Sequence, residues 1–207
     1  MAFDLQEQEQ IAELKAFWHD YGRHIAAGLG VALAIYAGWK GWQAWENNQA
    51  GKASTIYSRL ETAEDAAKRT AAVEELKNGY SRTAYAARAA LVSANAAFVA
   101  KDLAKAASEL KWVIENGREA ALRDIARVRL ANVLMDEKKF DDALAQLKAA
   151  EDESFAGLFA ETRGDVLALK GDAAGATEAY KQALAKLGKD SANYKFVEIK
   201  LESTGNR

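Results

Sequence analysis

The chain has 207 residues, is 50% hydrophobic and carries a formal net charge of −2, enough for a tether and one domain with a real core. It has no cysteine, which excludes disulfides and thiolate chemistry, and both histidines, His19 and His24, lie near the N-terminus, so no downstream site is built on imidazole. Charges of both signs are mixed without a basic block, which argues against a nucleic-acid partner.

Proline is absent, while Ala, Leu, Glu, Lys and Gln are abundant. Proline breaks helix interiors and these residues favour them, so the composition predicts a nearly all-helical chain.

Residues 1–24 form a short polar segment. From Ile25 to Trp39 the chain carries no charge, and past Lys40 the stretch continues to Trp45. As a helix, residues 25–45 would extend roughly 31 Å, about the thickness of a bilayer's hydrocarbon core. Trp18 and Tyr21 on one flank, with Trp39, Trp42 and Trp45 on the other, suit the two headgroup levels. The run therefore predicts one N-terminal transmembrane helix, a single-pass signal anchor. A buried helix of a soluble protein and a cleaved signal peptide are the alternatives. The long acidic region before the run and the bulky tryptophans ending it disfavour a cleaved peptide. Lys15 and Arg23 before the span, with Lys40, Lys52 and Arg59 after it, do not decide its orientation. Ala26, Gly30, Ala34 and Gly38 recur every four residues and would form a small-residue stripe for transmembrane packing against another helix.

From residue 46 to 203 one amphipathic helix follows another. Residues 46–80 predict a helix pair turning near Glu64 to Ala66. Three further units then align. Ala94, Ala131 and Gly164 share one position; twelve residues on come Ala106, Ala143 and Ala176, and four beyond those Leu110, Leu147 and Tyr180. The turns within the units also match, and Asp102 and Asp172 are expected to cap the second helices. Small residues at fixed places, with larger ones filling the gaps between units, define a TPR-like α-solenoid of helical hairpins. The consensus tryptophan and closing proline are missing from every unit. Ser191 to Ser203 predicts a last, capping helix, and 204–207 a frayed tail.

No chemistry emerges. No nucleophile–base pair exists downstream, and Gly28 and Gly30 do not follow a strand as a phosphate loop would. Asp141-Asp142 and Glu151-Asp152-Glu153 read as solvated helix ends rather than metal ligands. The expectation is therefore no catalytic residue, no metal and no cofactor. The functional surface left is the concave face of the repeats. Register places Arg88, Leu91, Asn95 and Phe98 there from the first unit, Ile125, Val128, Asn132 and Met135 from the second, and Glu161, Asp165 and Leu169 from the third. Such a mixture of amides, acids and apolar groups suits recognition of a peptide or helix.

Three stretches carry a more specific likeness: Tyr80-Ser81-Arg82-Thr83-Ala84-Tyr85-Ala86, Glu109-Leu110-Lys111-Trp112-Val113-Ile114-Glu115-Asn116 and Ala160-Glu161-Thr162-Arg163-Gly164-Asp165-Val166. With the order of parts, they make the chain resemble the YfgM family of Gram-negative bacteria over nearly its whole length. The resemblance implies an ancillary subunit of the Sec translocon, SecYEG, anchored in the inner membrane with its N-terminus cytoplasmic and its repeats in the periplasm. It implies the periplasmic chaperone PpiD as a partner and unfolded secretory proteins as clients. It supplies no catalytic motif. The competing reading is a membrane-tethered adaptor that sequesters a stress-response regulator.

Overall fold

The structure, a computed structural model, describes residues 2–205; of residues 2–6, 8 and 205 it describes the backbone alone. Asn206 and Arg207 of the expected tail, and Met1 of the N-terminal segment, lie outside the described residues. The fold is all-α among those residues, with nine α-helices and one short 3-10 turn. It divides into two compact units, residues 1–48 and 49–207.

Helix α1 (Ala2–Thr62) begins in the first unit and ends in the second. The expected transmembrane helix over 25–45 is overturned: no helix among the described residues is long and apolar enough to cross a membrane. The physical reason is dilution. The uncharged run closes at fifteen residues between His24 and Lys40, and eight of them are alanine or glycine. Fifteen helical residues extend about 22 Å, short of the roughly 30 Å a bilayer core requires. The extension beyond Lys40 is Gly, Trp, Gln, Ala and Trp, which restores little hydrophobicity. With the span goes the transmembrane role of Ala26, Gly30, Ala34 and Gly38. All four are exposed, and a Cβ added at Gly30 or Gly38 would meet nothing within 4 Å.

In the second unit the end of α1 packs on α2 (Ala66–Gly79), as the pairing of 46–80 predicts. Ala53, Ile56 and Leu60 bury against Val73 and Leu76, with Ala86 and Ala89 of the next helix. The Asp65 carboxylate caps α2 by accepting from the Ala67 N–H at 2.7 Å, and Arg69 donates back to the Ala63 and Glu64 carbonyls.

Three hairpins follow: α3 (Ala84–Val99) with α4 (Leu103–Asn116), α5 (Ala120–Asp136) with α6 (Phe140–Gln146), and α7 (Ala156–Lys170) with α8 (Ala173–Lys186). Each turns the same way. Lys101, Lys138 and Gly171 occupy one register position and adopt left-handed φ of 62°, 59° and 91°. The N–H one residue on then reaches back to the Ala97, Leu134 and Leu167 carbonyls, closing each first helix. Asp102 accepts from the Lys105 N–H at 3.0 Å and Asp172 from the Gly175 N–H at 2.8 Å, the two caps expected from sequence. The matching residue of the second hairpin, Lys139, makes no side-chain cap. Asp172→Ala should therefore cost about 1 kcal/mol, and Lys139→Asp should gain a similar amount by supplying the missing acceptor. The urea midpoint of each variant checks this; no gain for Lys139→Asp would mean α6 has no need of a cap.

Helix α6 is half the length of α4 and α8, seven residues against fourteen. The chain after it is held from below. Asp124 of α5 is fully buried and accepts from the Glu151 N–H at 2.9 Å, the Asp152 N–H at 2.8 Å and Arg127 at 3.1 Å. Glu151 is exposed, as the sequence predicts, but it lies in the loop after α6 and is ion-paired to both Arg123 and Arg127. Hydrogen bonds from Arg123 first, then Arg127, lower its pKa from 4.5 to about 2. A carboxyl whose folded pKa is depressed stabilises the fold above its unfolded pKa and loses that contribution as pH falls. Stability should thus decline between pH about 4.5 and about 2, and Glu151→Gln should flatten that decline. An identical acid profile for the variant would remove Glu151 from the account.

Helix α9 (Ala192–Gly205) closes the unit against α8, with Val197 fully buried. The first hairpin is joined to α2 through Lys77, which reaches Glu109 at 3.0 Å and lies over the Trp112 ring. Burial disfavours the Lys77 charge, but Glu109 and Glu74 outweigh it and the pKa is raised.

Candidate protein-binding groove

The first helices of the hairpins, α3, α5 and α7, carry the residues expected on the concave face, and the structure gives them different surroundings. Asn95 and Phe98 of α3 and Asn132 of α5 come together in one groove of about 220 Å³, with Ala94 and Val133 as apolar wall. Both amides are exposed and Phe98 is half-buried. Leu91 and Val128 are not surface residues. They lie one turn earlier, 7% and 8% exposed, inside the main core where successive first helices meet. Ile125 and Met135 are half-buried and pack on that same core. Arg88 is exposed beside the Tyr85 ring, 3.9 Å from Glu119.

The third unit's residues are already engaged. Lys200 of α9 meets Glu161 at 2.9 Å and Asp165 at 2.8 Å, while the Tyr180 hydroxyl donates to Asp165 at 2.8 Å. Burial disfavours the Lys200 charge, yet the two carboxylates prevail and its pKa is raised. Burial, then Asp165, likewise raises that of Tyr180. One Glu161 oxygen is buried without a partner. Leu169, on the last turn of α7, is 64% exposed.

Sequence register missed one groove residue, Arg129, and a lysine stacked on another, Lys101 over Phe98. Arg129 lies on the groove wall, one turn before Asn132. Lys101, in the left-handed position after α3, places its ammonium 5.5 Å from the centre of the Phe98 ring. The signal for Arg129 was present: three residues before an amide on the same helix is the same face. The signal for a left-handed Lys101 lies in the third hairpin, where Gly171 fills the equivalent position.

Stacked hairpins with the same turn repeated, a small-residue seam and an open face along the first helices define a tetratricopeptide repeat-like binding module. The model of the tetratricopeptide repeat-like domain matches residues 15–206. The chain belongs to the family of ancillary SecYEG translocon subunits. It is 33% identical to the protein of that name from Neisseria gonorrhoeae, over 98% of this chain and 99% of that one. It is 29% identical to those of Haemophilus influenzae, over 88% of this chain and 91% of that one, and Escherichia coli, over 84% and 85%.

Proposed function

We propose that this chain is a non-enzymatic protein-interaction scaffold of the SecYEG translocon, and that it receives partner proteins in the groove between α3 and α5. The observation that carries this reading is a groove with free amides on a repeat scaffold, in a chain that matches named translocon subunits along nearly their whole length. The chain works at the membrane through its association with the translocon. Its repeat unit lies on the periplasmic side, with the chaperone PpiD among its partners and translocating secretory chains nearby. Holding a partner beside the pore raises its effective concentration there, so modest affinity suffices.

The test is co-purification in mild detergent of the full chain and its Phe98→Ala/Asn132→Ala variant. Recovery of PpiD should fall about tenfold in the variant, as expected for truncation of a central contact. Unchanged recovery of PpiD would count against the groove as the docking surface.

A further inference from the structure

We propose that the groove between α3 and α5 takes an acidic segment of the partner protein, with a side-chain carboxylate seated on Arg129; this rests on the groove reading above. Arg129 shares the groove with Asn95 and Asn132 and forms no ion pair or hydrogen bond among the described residues. No aspartate or glutamate lines the groove. Lys101, over the Phe98 ring, also has no carboxylate partner among those residues. Two unanswered cations therefore flank one apolar floor, in a chain with more acidic than basic residues.

The third hairpin shows how such a position is completed. There the later helix, α9, brings a cation, Lys200, to the face of α7, and Asp165 and Glu161 answer it. Between α3 and α5 the later helix again brings a cation, Arg129. The register positions of Asp165 and Glu161 are filled in α3 by Asn95 and Leu91. An amide and a buried aliphatic group leave the guanidinium without its carboxylate, so the carboxylate comes from the ligand. The planar fork of arginine matches a carboxylate bidentately. Asn95 and Asn132 each donate and accept, which suits the backbone of a bound segment, and Phe98 supplies a floor for an apolar neighbour. Arg129 lies three residues before Asn132, and Lys101 three beyond Phe98 in the turn leaving α3. Arg129 in the groove and a second cation on the ring of its Phe98 favour acidic side chains along a segment over a single chain terminus.

The test is fluorescence anisotropy with the full chain and two synthetic peptides capped at both ends. One alternates glutamate and leucine, and the other has glutamine for glutamate. The acidic peptide should bind at least about tenfold more tightly, and the preference should shrink as salt is added. Arg129→Gln should abolish the preference. Asn95→Asp, which installs the carboxylate that α7 already has, should abolish it too, without lowering the urea midpoint. A preference retained in both variants, or equal binding of the two peptides by the unsubstituted chain, overturns the proposal. If the two bind equally but Phe98→Ala weakens both, the groove still stands as a docking site. Absence of binding, or binding that ignores Phe98→Ala, overturns groove and carboxylate site together.

Discussion

Replacing Asp124 by alanine is expected to cost about 3 kcal/mol of unfolding free energy, a large effect for one side chain. The carboxylate is fully buried and answers three donors: the Glu151 and Asp152 N–H groups and Arg127. Alanine leaves two backbone donors without an acceptor and removes one of the two carboxylates on Arg127. The loop after α6 is too short to replace them from its own chain, because α6 ends at Gln146 and the 3-10 turn begins at Glu153. Asp124→Asn should cost about half as much, since one oxygen remains to accept while the new amide N–H groups face donors. The contrast is Arg88→Ala, which removes a long, exposed ion pair with Glu119 and should cost less than about 0.5 kcal/mol. Urea unfolding of the full chain followed by circular dichroism reads all three. A loss below about 1 kcal/mol for Asp124→Ala would show that the loop between the second and third hairpins is not anchored on α5.

Gly164→Ala is expected to cost about 2 kcal/mol through overpacking, and Tyr180→Leu in the same chain should recover most of it. A Cβ at Gly164 would lie 2.4 Å from Cε1 and 2.5 Å from Cδ1 of Tyr180, and that ring is only 3% exposed and cannot swing aside. The other two hairpins solve the same packing with a different pair of sizes: Ala94 with Leu110 and Ala131 with Leu147, all buried. The third exchanges alanine for glycine and leucine for tyrosine, and the larger ring carries a hydroxyl to Asp165. Tyr180→Leu alone should cost about 1–2 kcal/mol, because it leaves a void over Gly164 and removes that hydrogen bond. The double variant should lie within about 1 kcal/mol of the parent, so the two changes are strongly non-additive. Additive losses in urea unfolding would mean that Gly164 is fixed by something other than the ring above it.

The hairpins were legible because their determinants are local. Apolar spacing at helical period, small residues at a repeated position and capping aspartates at 102 and 172 are all read along the chain, and each has its counterpart in the structure. The run over 25–45 has the length of a span and a single charge, Lys40, but not the hydrophobicity. Alanine, glycine and interfacial tryptophan fill a stretch without making it greasy enough to cross a bilayer. The groove was legible in part. Register found Asn95, Phe98 and Asn132, since equivalent positions of successive helices face the same way. It misassigned Leu91 and Val128, because whether a position one turn away is open or covered depends on the neighbouring helix. Lys200 pairing with Glu161 and Asp165, and Asp124 holding the loop at Glu151, join residues far apart in sequence. No local pattern encodes such contacts.

The groove between α3 and α5 is tested most directly by site-specific photo-crosslinking in cells, with a benzophenone side chain placed in turn at Asn95, at Asn132 and at the exposed Lys181 of α8. An adduct with PpiD should form from Asn95 and Asn132, be absent from Lys181, and fade when Arg129→Glu is added. Adducts of equal yield from Lys181, or none from either asparagine position, would contradict the assignment of this groove as the docking surface.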